Sequence, residues 1–123
     1  MPTGATVNLE TFSDADFSEA FQWEIDGALF DFTGYNLLMN VRHHAEDVEA
    51  VVSLDSVPGG FGGITFNDPV GGHIETFNIF ILRSQMIVMA AGEYVQSLIL
   101  LRPDGLRDDI WHGTLTHSIG PTR

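Results

Sequence analysis

Large apolar side chains recur at every second position along much of this chain, and that spacing constrains its fold more than any other feature. Phe21, Trp23 and Ile25 alternate with Gln22 and Glu24. Tyr35, Leu37, Met39 and Val41 alternate with Asn36, Leu38, Asn40 and Arg42; Val48, Ala50, Val52 and Leu54 alternate with Glu49, Val51 and Ser53. Successive side chains of a strand point to opposite faces, so each segment places its apolar groups on one side of a half-buried sheet. Further strands are expected over residues 64–66, 74–81, 94–101 and 110–119. Of these, 74–81 carries apolar groups on both faces and reads as an interior strand.

Glycine and proline punctuate these segments. Asp26-Gly27, Thr33-Gly34, Asn67-Asp68-Pro69, Gly71-Gly72 and Pro103-Asp104-Gly105 are turn signals. They leave stretches of roughly 6–10 residues, too short for long helices. Residues 83–91 form the one expected helical turn, closed by Gly92. The expectation is an all-β, single-domain antiparallel β-sandwich, Ig-like or jelly-roll-like, of seven to eight strands with one short helical turn. Residues 19–123 form the sandwich and residues 1–18 an N-terminal arm or first strand. Such an arm, polar and weakly patterned, would become ordered on a neighbouring subunit.

Composition narrows the partners. The 123 residues, 44% hydrophobic with nine Phe, suffice for one core. No apolar run approaches the roughly 18 residues of a membrane span, and the N-terminus reads as lacking an export signal. With no Cys there is no disulfide framework, thiol chemistry or thiolate zinc site. Seventeen carboxylates face five Arg and no Lys, a formal charge of −12. Phosphate backbones and anionic membranes are repelled by such a surface, so neither nucleic acid nor membrane is an expected partner. Seven of the acids (Glu10, Asp14, Asp16, Glu19, Glu24, Asp26 and Asp31) precede the first base, Arg42. They read as a solvated face or as a surface that meets an Arg- or Lys-rich partner.

The residue patterns that carry chemistry are sparse. His43-His44 with Glu46 and Asp47 lacks the spacing of a metal motif, and Asp104, Asp108 and Asp109 lack the closing Glu of a calcium loop. There is no Gly-x-Ser-x-Gly elbow, and the Gly-rich loop lacks a Lys-Ser/Thr ending. Neither catalytic residues nor a metal or other cofactor is expected. Trp23, Tyr35, Tyr94 and Trp111 read as core rings, with a sugar-stacking platform as the alternative. Gly59, Gly60, Phe61, Gly62 and Gly63 form an exposed loop. Together with Glu10, Asp14 and Asp16 they are the expected partner contacts.

The order of these pieces resembles small tail and baseplate proteins of tailed bacteriophages, in particular the N-terminal domain of upper-baseplate proteins and their stand-alone relatives. The resemblance is carried by Phe21-Gln22-Trp23-Glu24-Ile25-Asp26-Gly27, Asp31-Phe32-Thr33-Gly34-Tyr35 and Met39-Asn40-Val41-Arg42. It continues through Gly92-Glu93-Tyr94-Val95-Gln96-Ser97-Leu98, the turn at Pro103-Asp104-Gly105, Gly113 and the ending Thr122-Arg123. Gln96-Ser97-Leu98 stands where members often carry an aromatic-Asp-Leu step. The resemblance implies a non-enzymatic virion subunit, made in the host cytoplasm, that attaches a tail fibre or receptor-binding protein to the baseplate or tail. Its partners would be other virion proteins and further copies of itself in a symmetric oligomer. A carbohydrate- or receptor-binding module and a capsid decoration protein are the alternative roles.

Overall fold

The computed structural model describes residues 5–119 except 26, 45, 48 and 70, and of residue 5 only the backbone. The positions expected at Asp26, Val48, Thr122 and Arg123, and the first four residues, lie outside that set. The elements run β1 (Ala5–Thr6), β2 (Leu9–Phe12), β3 (Phe17–Gln22), β4 (Glu24–Ile25), β5 (Ala28–Leu29), β6 (Asn36–Arg42), β7 (Val52–Asp55), β8 (Ile64–Phe66), β9 (Thr76–Ile81), α1 (Arg83–Met86), β10 (Gly92–Leu101) and β11 (Arg107–Ser118). The protein is all-β, as expected.

Two sheets enclose one core. The larger has the order β1-β11-β10-β6-β7 with β2 also on β11; the smaller has the order β3-β9-β8; β4 and β5 form a separate hairpin. Alternation does what the sequence implies. Leu37, Met39 and Val41 of β6 are fully buried, while Asn36, Leu38, Asn40 and Arg42 are half-buried on the other face. Tyr94, Gln96, Leu98 and Leu100 of β10 point inward in the same phase. From the smaller sheet Phe77, Ile79 and Ile81 close the core, and β9 is indeed the interior strand. Aromatic rings bridge the layers: Phe77 lies 6.0 Å and Phe21 4.9 Å from Trp111 between ring centroids.

Where the structure departs from expectation, the cause is pairing that spacing alone does not specify. There are eleven strand segments among the described residues, against the seven or eight expected. The expected strand over residues 21–25 is broken at Trp23, because β3 pairs with β9 whereas β4 turns back on β5. Phe21 and Trp23 still reach the core, Trp23 through Phe30 at 5.0 Å. The helical segment ends at Met86, and Gly92 opens β10 instead of closing a helix. Within the expected arm, β1 and β2 lie parallel to β11, with Ala5 opposite Trp111 and Leu9 opposite Leu115. The described part therefore takes strand form on its own domain. Leu9 and Thr11 are buried there, and Thr11 Oγ1 lies 2.9 Å from His117 Nδ1.

Gln96 ties this edge to the core. Its side-chain amide donates to Val7 O at 2.7 Å, and its carbonyl accepts from Trp111 Nε1 at 2.8 Å. A buried amide is costly unless bonded, and here both ends are satisfied.

Candidate docking surface

Four glycines around a single phenylalanine give the segment Gly59–Gly63 too much backbone freedom to be rigid by itself. The fold removes that freedom. Asp55 ends β7 with a buried carboxylate whose Oδ1 accepts from Gly62 N at 3.2 Å, and its own N–H donates to Gly62 O at 2.9 Å. Gly60 N donates to Val57 O, and Gly63 O accepts from Phe80 N at 2.7 Å. A Cβ on Gly60 would stand 2.4 Å from the Asp55 carboxylate oxygens, so any side chain there would have to push that bonded group aside. At Gly63 the backbone has φ +90°, and a Cβ would meet Leu54 at 2.5 Å. The loop is a moulded turn.

What it carries outward is Phe61, with 73% of its surface in solvent. Beside it, on the strand bonded to Gly63, Phe80 faces out from the smaller sheet, and Leu82 follows two residues later. Just past α1, Ile87 and Val88 are exposed as well, Val88 by 80%. Scattered apolar residues are ordinary on a surface, but a large ring held outward by a built loop, beside the exposed Phe80 of the strand bonded to it, marks a candidate interaction site. Burying each would contribute about 1.5–3 kcal/mol, so three or four suffice to offset much of the cost of association.

The structure divides the expected contact residues. Gly59–Gly63 with Phe61 sit at this site. Asp16 joins them, because its carboxylate accepts from Arg83 N and fastens the turn before β3 to the start of α1. Asp14 lies in the same turn. Glu10 is elsewhere: it sits opposite Thr116 and lines, with Glu19 and Phe17, a cleft of about 640 Å³. Phe80, Leu82, Ile87 and Val88 were not anticipated. The readable signal was the run Met86-Ile87-Val88-Met89, since one helical turn cannot bury apolar groups all round; Met86 and Met89 are inside and the two between them are not.

The other polar groups have local duties. Asp31 is partly solvated yet also fully engaged in local hydrogen bonds. Its Oδ1 accepts from the Thr33 hydroxyl at 2.6 Å, from Thr33 N at 3.0 Å and from Ile74 N at 3.0 Å, and its Oδ2 lies 2.9 Å from His73 Nδ1. The Thr33 hydroxyl, followed by His73 and the two backbone donors, holds the Asp31 carboxyl well below the usual carboxylate range. The hydrogen bond from Asp31, reinforced by its charge, raises the His73 imidazole. The raised imidazole contributes stability that is complete below its unfolded pKa and fades as pH rises through the folded value. The depressed carboxyl contributes above its unfolded pKa and fades on acidification. The staple is therefore complete between roughly pH 4 and 6.5. Amide-exchange protection at Ile74 should be higher at pH 5.5 than at pH 8, on the order of twofold for an exposed pair; His73→Ala should remove the difference.

Asp104 likewise serves its own turn, accepting from Leu106 N at 3.0 Å and Arg102 Nη2 at 2.7 Å. His43 lies against Tyr94 at 4.8 Å, and His44 N donates to Asp47. Tyr94 and Trp111 are buried, and Trp23 and Tyr35 pack against the core, so these four rings form no open sugar-stacking platform.

Fold and surface together define an all-β domain that presents a fixed apolar tip. No protein-family model matches the chain, and no curated protein matches it.

Proposed function

We infer that this chain is a non-enzymatic structural subunit of a tailed-phage virion that helps attach a tail fibre or receptor-binding protein to the baseplate or tail. The observation that carries the docking part is Phe61, held into solvent by a loop whose backbone is bonded to Asp55 and Phe80. The virion assignment rests on the sequence resemblance.

The partner surface pairs apolar side chains with Lys or Arg. Free copies carrying a formal charge of −12 repel one another and attract a cationic surface, which favours docking on a different virion protein before any contact between copies. Exposed rings at the centre of an interface carry a disproportionate share of its energy, and an introduced charge there must be desolvated.

Phe61→Asp is therefore expected to lower incorporation into purified particles by at least about tenfold, with the thermal midpoint unchanged because the ring makes no core contact. Quantitative mass spectrometry of particles measures this. Incorporation equal to that of the unsubstituted chain would reject the tip, and absence of the chain from every particle would reject the virion role.

A further inference from the structure

The outer face of the larger sheet is not flat. Glu46 and Asp47, after β6, border it and, with β6, β10 and β11, bound an open basin of about 710 Å³. That is the size of a small-molecule site. Arg42, from β6, lines it, and its Nε donates to Asp47 O at 2.9 Å, which fixes the guanidinium plane against the loop. Among the described residues Arg42 forms no ion pair, although Glu46 and Asp47 line the same basin and the protein has more than three acids for every base.

Asn40, Ser97 and Thr114 add an amide and two hydroxyls from three adjacent strands, with Val95 as an apolar floor. Asn40 accepts from Ser53 at Oδ1, 3.0 Å, which leaves its amide nitrogen to donate.

The mixture identifies the ligand chemistry. A fixed guanidinium asks for acceptors, and the carboxylates of Glu46 and Asp47, the second already accepting from His44 N, ask for donors, with His112 also at the rim, so groups of both signs line the basin. An anion meets Glu46, Asp47 and the field of a strongly acidic chain; a cation meets Arg42. Vicinal hydroxyls accept from a guanidinium and donate to a carboxylate at once, while the ring C–H groups lie on an aliphatic floor. We propose that this basin is a binding site for a neutral saccharide. It is separate from the Phe61 tip and does not depend on what docks there.

The test is titration of the full chain with glucose, galactose, mannose, N-acetylglucosamine and their short neutral oligomers, followed by backbone amide resonances. At least one should saturate with a Kd on the order of 1 mM or tighter, moving Asn40, Ser97 and Thr114 while the amides of Phe61 and Phe80 stay still. The matching uronate should bind at least about tenfold more weakly. Ser97→Phe fills the basin and should abolish binding; Arg42→Ala should weaken it about tenfold. If either variant fails to fold, the other and the uronate comparison decide. No shift at these amides with any neutral sugar, equal binding of the uronate, or full binding by a folded Ser97→Phe variant would overturn the assignment.

Discussion

Phe77→Ala lowers the unfolding free energy by about 3–5 kcal/mol, a large fraction of the 5–15 kcal/mol that holds a typical domain together. Phe77 is completely buried in β9, and its ring lies 5.6 Å from Phe21, 5.3 Å from Phe32 and 6.0 Å from Trp111. Those neighbours come from β3, from the loop before β6 and from the opposite sheet. Truncation therefore opens a void where the two layers meet, and rigid rings cannot collapse into it as aliphatic chains do. Urea unfolding measures the effect as a lower midpoint with an unchanged slope. A loss under about 1 kcal/mol would mean that the two sheets do not share this core.

Gly113→Ala is expected to act locally and to be nearly as damaging. A Cβ at this position would stand 1.9 Å from Val7 O and 2.7 Å from Val7 C, and backbone cannot yield as a flexible side chain does. In an ordinary strand the same change would stabilise by about 0.5–1 kcal/mol, so the sign of the measured effect is diagnostic. Displacing Val7 breaks its N–H bond to His112 O and leaves the buried Gln96 amide without its 2.7 Å acceptor. It also disturbs the two bonds from Thr114 to Asn8 Oδ1. Three or four bonds, one of them buried, amount to about 2–4 kcal/mol. Hydrogen exchange should show protection lost across β1 and β2 but kept in β10, whose partners on β6 are untouched. Uniform loss across the domain would show instead that the N-terminal edge unfolds together with the core.

How much was legible follows from what each segment needed. β6 could be read because its two faces meet different environments: Leu37, Met39 and Val41 inside, polar groups outside. The inward phase of β7, with Val52 and Leu54 buried, and the turn at Gly105, φ +87°, followed from the same alternation and from turn chemistry. Trp23 misled, because an unbroken alternation gave no hint that β3 and β4 take different partners. The parallel strands β1 and β2 were not readable either, since Leu9 finds Leu115 across more than 100 residues and nothing local specifies that pairing. At the docking tip, the loop and Phe61 were visible as composition; the Asp55 carboxylate that moulds the loop was not. In the basin, Arg42, Ser97 and Thr114 are unremarkable one by one and acquire meaning through adjacency on β6, β10 and β11.

The amino-acid order by itself determined that this protein is made of strands, which side of the cleanly alternating ones faces inward, where most turns fall, and that the chain is strongly anionic. Those are short-range properties, set by side-chain direction and by backbone freedom within a few residues. Tertiary structure alone decided which strands are neighbours, that Asp31 and His73 form a staple, and that the loop carrying Phe61 is bonded to the strand of Phe80. Each of these depends on contacts between segments far apart in the chain, whose closure is selected by the packing of the whole core.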